Sequence, residues 1–203
     1  MKANVGMQYA VAAPISSYTP GTTPTYGNGY KVCEARGANI SWDRGDGEFY
    51  GDDVLLDVDN SVRSGSIEFE TAGIRDAIRA NMLGETVANT DEYTLTDGAS
   101  PFVGFGFIRV MRDNATTDGS VEERYEAWWL WRVQFSLNSE ETRTKEGGGI
   151  EWRVPTLSGK ITGVKQSSDQ TLDFKTHKTC TTFSAAKSWL DTKAGITEQA
   201  TTT

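Results

Sequence analysis

The densest run of side chains able to do chemistry lies between Asp43 and Asp59, where seven acids (Asp43, Asp46, Glu48, Asp52, Asp53, Asp57 and Asp59) stand against a single Arg44. Carboxylates crowded this way are the raw material of a calcium loop or of the acid and base of a glycoside hydrolase. An EF-hand loop needs glycine at its sixth position and a helix on either side. Aligning Asp57, Asp59, Ser61 and Glu68 puts Val62 at that position, between strand patterns. Glycoside hydrolysis needs two carboxyl groups of unlike pKa across a cleft, and no spacing in this run enforces that convergence. The run reads as a solvated acidic loop and strand face.

The other reactive residues are few. His177 is the one histidine; it stands beside Lys178 and near Lys175, with no G-x-S-x-G elbow in reach, and reads as an exposed side chain rather than a general base. Cys33 and Cys180 lack metal-ligand spacing and read as two reduced, half-buried thiols. Gly104-Phe105-Gly106 sits inside a strand pattern with no helix start after it, so the glycines serve close backbone approach rather than phosphate binding. Trp128, Trp129 and Trp131 allow a sugar-stacking platform, but core or interface packing is the commoner use of such residues. No catalytic residue, metal or cofactor is expected, and the chain reads as a non-enzyme.

Charge narrows the partners. The 203 residues hold 20 Lys and Arg against 28 Asp and Glu, a formal net charge of −8. That balance disfavours holding a phosphate backbone or an anionic membrane through net charge. With 37% hydrophobic and 24% charged residues the composition is that of a folding chain. The first twenty residues lack a basic segment leading into an apolar one, and no membrane span is visible.

The elements that must position these residues are mostly strands. Residues 1–29, with Pro14, Pro20, Pro24, Gly21, Gly27 and Gly29 in their second half, read as an extended N-terminal arm, followed by a β domain over 30–196 and a frayed polar tail over 197–203. The clearest strand is Tyr125 to Leu137, apolar at every odd position, with Trp128 and Leu130 on the even face as well. Its centre therefore needs cover on both sides, from a helix, an arm or another subunit. Phe102 to Met111 repeats the pattern, with Val103, Phe105 and Phe107 opposite Phe102, Ile108 and Val110. Further strands are predicted at Lys31 to Trp42, Asp53 to Asp59, Ser66 to Glu70, Tyr93 to Leu95, Ile150 to Val164 and Thr171 to Thr176. Helices are predicted over Ile74 to Leu83, stopped by Gly84, and over Ser184 to Ala194, capped by that serine and ended by Gly195. The fold class is mainly β, a β-sandwich or rolled β-barrel with one flanking α-helix and a short C-terminal helix.

The ordered series Gly51-Asp52-Asp53-Val54, Ser64-Gly65-Ser66-Ile67, Leu83-Gly84, Pro101 to Gly106, Trp128 to Phe135, Ser139-Glu140-Glu141, Lys145, Pro155-Thr156-Leu157 and Ala186 to Leu190 resembles the phi-thirteen-type major tail protein family, the tail tube subunit of long, flexible-tailed bacteriophages. The likeness spans about Tyr30 to Ile196. It implies a tail tube fold, hexameric rings stacked into a tube, and DNA passing through the lumen without specific binding. It implies a tape-measure protein and initiator and terminator proteins as partners, and a virion location after assembly in the host cytoplasm. A ring of six such chains carries six times −8, or −48, which repels phosphate within a Debye length of about 8 Å at physiological salt.

Expected inter-subunit contacts follow. Lys145 and Gly147, Gly148 and Gly149 form a charged, glycine-tipped loop suited to stacking; Tyr18 and Tyr26 lie in the arm; Trp128 and Leu130 form the covered even face of the central strand. Two alternatives stand beside the tube: a carbohydrate-binding β-sandwich displaying surface tryptophans, and an acidic-cleft hydrolase built on Asp43 to Asp59.

Overall fold

The computed structural model describes residues 2–113, 122–137, 156–166 and 171–196. Its elements in chain order are β1 (Lys2–Ser17), β2 (Thr25–Tyr26), β3 (Tyr30–Cys33), β4 (Ala35–Arg44), β5 (Gly47–Gly51), β6 (Val54–Asp59), β7 (Val62–Thr71), α1 (Asp76–Leu83), β8 (Thr86–Asn89), β9 (Glu92–Thr94), β10 (Phe102–Asp113), β11 (Glu122–Ser136), β12 (Thr156–Ile161), β13 (Lys175–Cys180) and α2 (Phe183–Ala194). Nine strands form one sheet in the order β2-β1-β10-β11-β12-β7-β4, with β13 on β11 and β3 on β1. The fold is mainly β, sandwich-like, with flanking helices. The sheet rolls but stays open, because among the described residues no ladder joins β4 to the far edge, so the closed-barrel form of the expectation does not hold.

The N-terminal arm is corrected for its first half. Residues 2–17 are a central strand, β1, paired antiparallel with β10 from Lys2 opposite Asp113 to Pro14 opposite Val103. Its middle is fully buried on both faces: Ala10 and Ala12 join one core cluster, Val11 and Ala13 the other. The three alanines suit a strand held between two packed layers, and they carry none of the β-branched or aromatic character by which strands are recognised. Two bulges interrupt the pairing of β1 with β10, and at the second Tyr9 takes a left-handed φ of 51°. That turn of the backbone aims Tyr9 at α2, where its hydroxyl donates to Asp191 at 2.6 Å and its ring meets Phe183 edge-on.

Two hydrophobic clusters lie on opposite faces of the sheet. The larger is enclosed by the roll, with Phe69 of β7 packed edge-on to Phe105 of β10 at 5.0 Å, and Met82 and Leu83 of α1 sealing it. The second lies under α2, where Ala186, Leu190 and Ala194 meet Ile108, Ala127 and Trp129. Gly104 and Gly106 make this approach feasible: a Cβ on Gly104 would run into the Trp129 and Tyr26 rings, and one on Gly106 would lie 2.7 Å from Leu190. Their expected role in close approach is thereby met.

The odd face of β11 is not continuous. Tyr125, Ala127, Trp129 and Trp131 face α2, whereas Val133 and Phe135 belong to the enclosed core with Leu130. The ladder explains the switch, since Val103 pairs Val133 and Phe105 pairs Leu130, leaving one extra residue on β11 at Trp131 and Arg132. At that bulge β11 also changes partner, from β13 along Tyr125 to Leu130 to β12 along Val133 to Ser136.

Smaller corrections have local causes. Lys31 to Trp42 divides at Glu34, whose carbonyl accepts from the Ala72 amide, giving β3 and β4. The cap of α2 is Thr182, not Ser184: its hydroxyl accepts from the Ala185 amide at 3.3 Å, and Gly195 closes the helix at φ 66°. The strand expected from Thr171 begins at Lys175, with Asp173 joined to Val164 by a single bridge. Residues 150–155 and the tail 197–203 lie outside the described residues.

Candidate assembly surface

The acidic run is an exposed hairpin. Among the described residues β5 and β6 pair only with each other, and they prolong the β4–β7 ladder beyond its end, where the Gly45 amide donates to the Ser61 carbonyl at 2.7 Å. The turn is made by Asp52 and Asp53, both at positive φ (49° and 62°), a two-residue connection that aspartate tolerates and whose twist matches a hairpin. The carboxylates do not enclose anything: among the described residues no group of three or more His, Cys, Asp or Glu is placed to hold a metal ion. Asp59 is held below the usual carboxylate range chiefly by the Ser61 amide and hydroxyl and then by Arg63, at the hairpin's foot.

The same hairpin exposes apolar surface. Phe49 is 64% and Leu56 60% exposed, and Tyr50, Val54, Leu55 and Val58 are exposed with them. Cross-strand pairing places Phe49 beside Asp57 and Tyr50 beside Leu55, so apolar and acidic side chains share both faces. Acids in this segment were legible from composition; the exposure of the apolar residues between them was not, because a strand with alternating Val, Leu and Asp reads as half-buried.

At the other end of β4 the open sheet leaves a groove of about 350 Å³ between β4 and the N-terminal half of β1. Met7, Ile40, Phe107 and Trp128 form its apolar lining, and Arg36 and Arg109 its cationic one. Trp128 anchors it. The indole N–H donates to Glu126 at 2.7 Å, the Lys175 ammonium sits 3.6 Å from the ring centroid, and the Arg109 guanidinium lies at 4.7 Å. Burial pulls the Lys175 ammonium below its ordinary pKa, Glu126 opposing and Arg109 adding to the effect.

The predicted contact residues divide among these places. Trp128 is half-buried and lines the groove, whereas Leu130, two residues on, is sealed inside the enclosed core and is no surface residue. The cover for Trp128 and Leu130 on the even face of β11 is thus the rolled sheet, and α2 covers the odd face as far as Trp131. Tyr26 is half-buried and held against the cluster under α2: its hydroxyl donates to the Trp131 carbonyl at 2.7 Å, accepts from the Trp129 indole at 3.3 Å, and its ring meets Trp129 edge-on. Tyr18 is half-buried, and its hydroxyl accepts from the Lys165 amide at 2.8 Å. Lys145, Gly147, Gly148 and Gly149 lie outside the described residues. Trp129 and Trp131 are buried, so two of the three clustered tryptophans are not displayed to a ligand. His177 is exposed, and Cys180 is a buried free thiol.

No protein-family model and no curated protein matches this chain. Among the described residues no helix is long and apolar enough to cross a membrane.

Proposed function

We propose that the chain is a self-assembling structural subunit, and specifically the tail tube protein of a long, flexible-tailed bacteriophage: a non-enzymatic virion protein whose hexameric rings stack into a DNA-conducting tube. The observation that carries this reading is the hairpin, which presents six large apolar side chains to solvent on a ribbon whose strands, among the described residues, pair only with each other. An isolated two-stranded hairpin is marginal in water, and contiguous exposed apolar surface marks a contact to be made. The open sheet supports the same reading, since the outer edge of β4, unpaired among the described residues, invites continuation by a neighbouring subunit. The ordered motifs named above supply the phage assignment, and with it tape-measure and initiator and terminator proteins as partners and DNA as the cargo that the acidic ring passes without holding.

The test is negative-stain electron microscopy of the concentrated protein beside light scattering of a dilute sample, because polymerisation follows mass action. Rings or tubes of uniform width are expected as concentration rises. A protein that stays monomeric up to millimolar concentration overturns the reading.

A further inference from the structure

We infer that the β5–β6 hairpin of one copy seats in the groove between β1 and β4 of a second copy; this pairing rests on the self-assembly reading above and names the two surfaces that meet. The surfaces match in charge. Residues 46–59 carry Asp46, Glu48, Asp52, Asp53, Asp57 and Asp59 with no Lys or Arg, while the groove presents Arg36 and Arg109 with Lys175 above Trp128, against two carboxylates, Glu126 among them and Glu70 beside Gly37. They also match in polarity: Phe49, Leu55 and Leu56 are exposed on the hairpin, and Met7, Ile40, Phe107 and Trp128 line the groove. Backbone complements side chain here. Among the described residues no strand pairs with the outer edge of β4, nor with the outer edge of β1 before Ala10, so both walls of the groove offer backbone groups outside any ladder to an entering strand, apart from the Gly6 amide, which donates to Asn4 Oδ1.

The occupant is another copy because the chain's own hairpin points the wrong way. It leaves the Arg44 end of β4, whereas the groove lies along Arg36 to Ile40. From Ala38 to Arg44 the strand runs about 20 Å at roughly 3.3 Å per residue, and the hairpin continues beyond it. Two different patches, hairpin and groove, make a head-to-tail contact, which closes into a ring when the rotation divides a full turn and otherwise runs on as a filament.

A two-variant mixing experiment decides it. One full-length variant carries Phe49→Asp and Leu56→Asp on the hairpin; the other carries Arg36→Glu and Arg109→Glu in the groove, with the exposed Arg36→Glu alone as a milder second form. Near-ultraviolet circular dichroism verifies that each is folded. Sedimentation velocity then reads assembly of the parent, of each variant and of the equimolar mixture. Each variant alone is expected to raise the concentration needed for assembly about tenfold or more. The mixture is expected to give a 1:1 heterodimer and stop there, since one intact hairpin meets one intact groove and only disabled surfaces remain. A hairpin variant, or both groove variants, assembling like the parent overturns the pairing while leaving self-assembly standing. So do variants that are monomeric alone and stay monomeric when mixed. A parent that never assembles removes the functional reading and this pairing together.

Discussion

Two tyrosines tie the interior to pH. Burial pushes the Tyr30 hydroxyl up to about 12 from an ordinary 10.0, and burial raises Tyr26 still more, the Trp129 indole opposing in part. The neutral phenol is the form the folded state accepts, so each group contributes stability that is complete below pH 10 and is lost as pH climbs through the raised folded value. Tyr26 matters doubly, because its hydroxyl is the donor to the Trp131 carbonyl beside the β11 bulge. The expected outcome of an alkaline titration followed by tyrosinate absorbance is two classes. The class made up of Tyr26 and Tyr30 ionises only with loss of the near-ultraviolet signal above pH 10. Tyr26→Phe should remove part of that class and cost about 1 kcal/mol, the net worth of one hydrogen bond. A single smooth reversible titration of all the tyrosines would contradict the burial of this pair.

At the level of elements, the fold turns on how β10 and β11 are served from both sides. Gly104 and Gly106 let Trp129 and α2 lie directly on the strand backbone, so a single methyl group is a sensitive probe of that packing. Gly104→Ala is expected to destabilise the monomer by about 1–3 kcal/mol through overpacking against Trp129 and Tyr26, read as a lowered denaturation midpoint with unchanged slope. An unchanged midpoint would mean that Trp129 is not seated there. The two-sided character of both strands was legible in the sequence, because Phe102 to Met111 and Trp128 to Leu130 put apolar residues on consecutive positions. Which side met which partner was not. The extra residue at Trp131 and Arg132 reverses the alternation, and a period of two has no mark for a bulge whose cause is the partner strand. The strand β1 was hidden for a related reason: Ala10, Ala12 and Ala13 look featureless in sequence, and their small size has meaning only once both layers are in place. Of the contact residues, Trp128 emerged at an open groove, whereas Leu130 is sealed inside the roll and Tyr26 packs against the cluster under α2.

On the scale of the whole molecule, the structure separates what folds the chain from what the chain offers to others. Both cores lie within the nine-stranded sheet and its helices, and no residue of β5 or β6 belongs to either. The hairpin should therefore be removable. Its stem is already joined where the Gly45 amide meets the Ser61 carbonyl, so residues 46–60 are replaceable by an Asn-Gly turn that closes the β4–β7 ladder directly. The excised protein is expected to keep its thermal midpoint within a few degrees, since it loses exposed apolar surface and no core contact, and to remain monomeric at concentrations where the parent assembles. Excision also removes six carboxylates, changing the formal charge from −8 to −2. A control restoring net charge elsewhere on the surface separates the loss of a contact from a change in solubility. If the excised chain unfolds, the hairpin belongs to the fold after all. If it folds and still forms rings or tubes, assembly proceeds through other edges of the sheet, and the six apolar side chains serve a different partner.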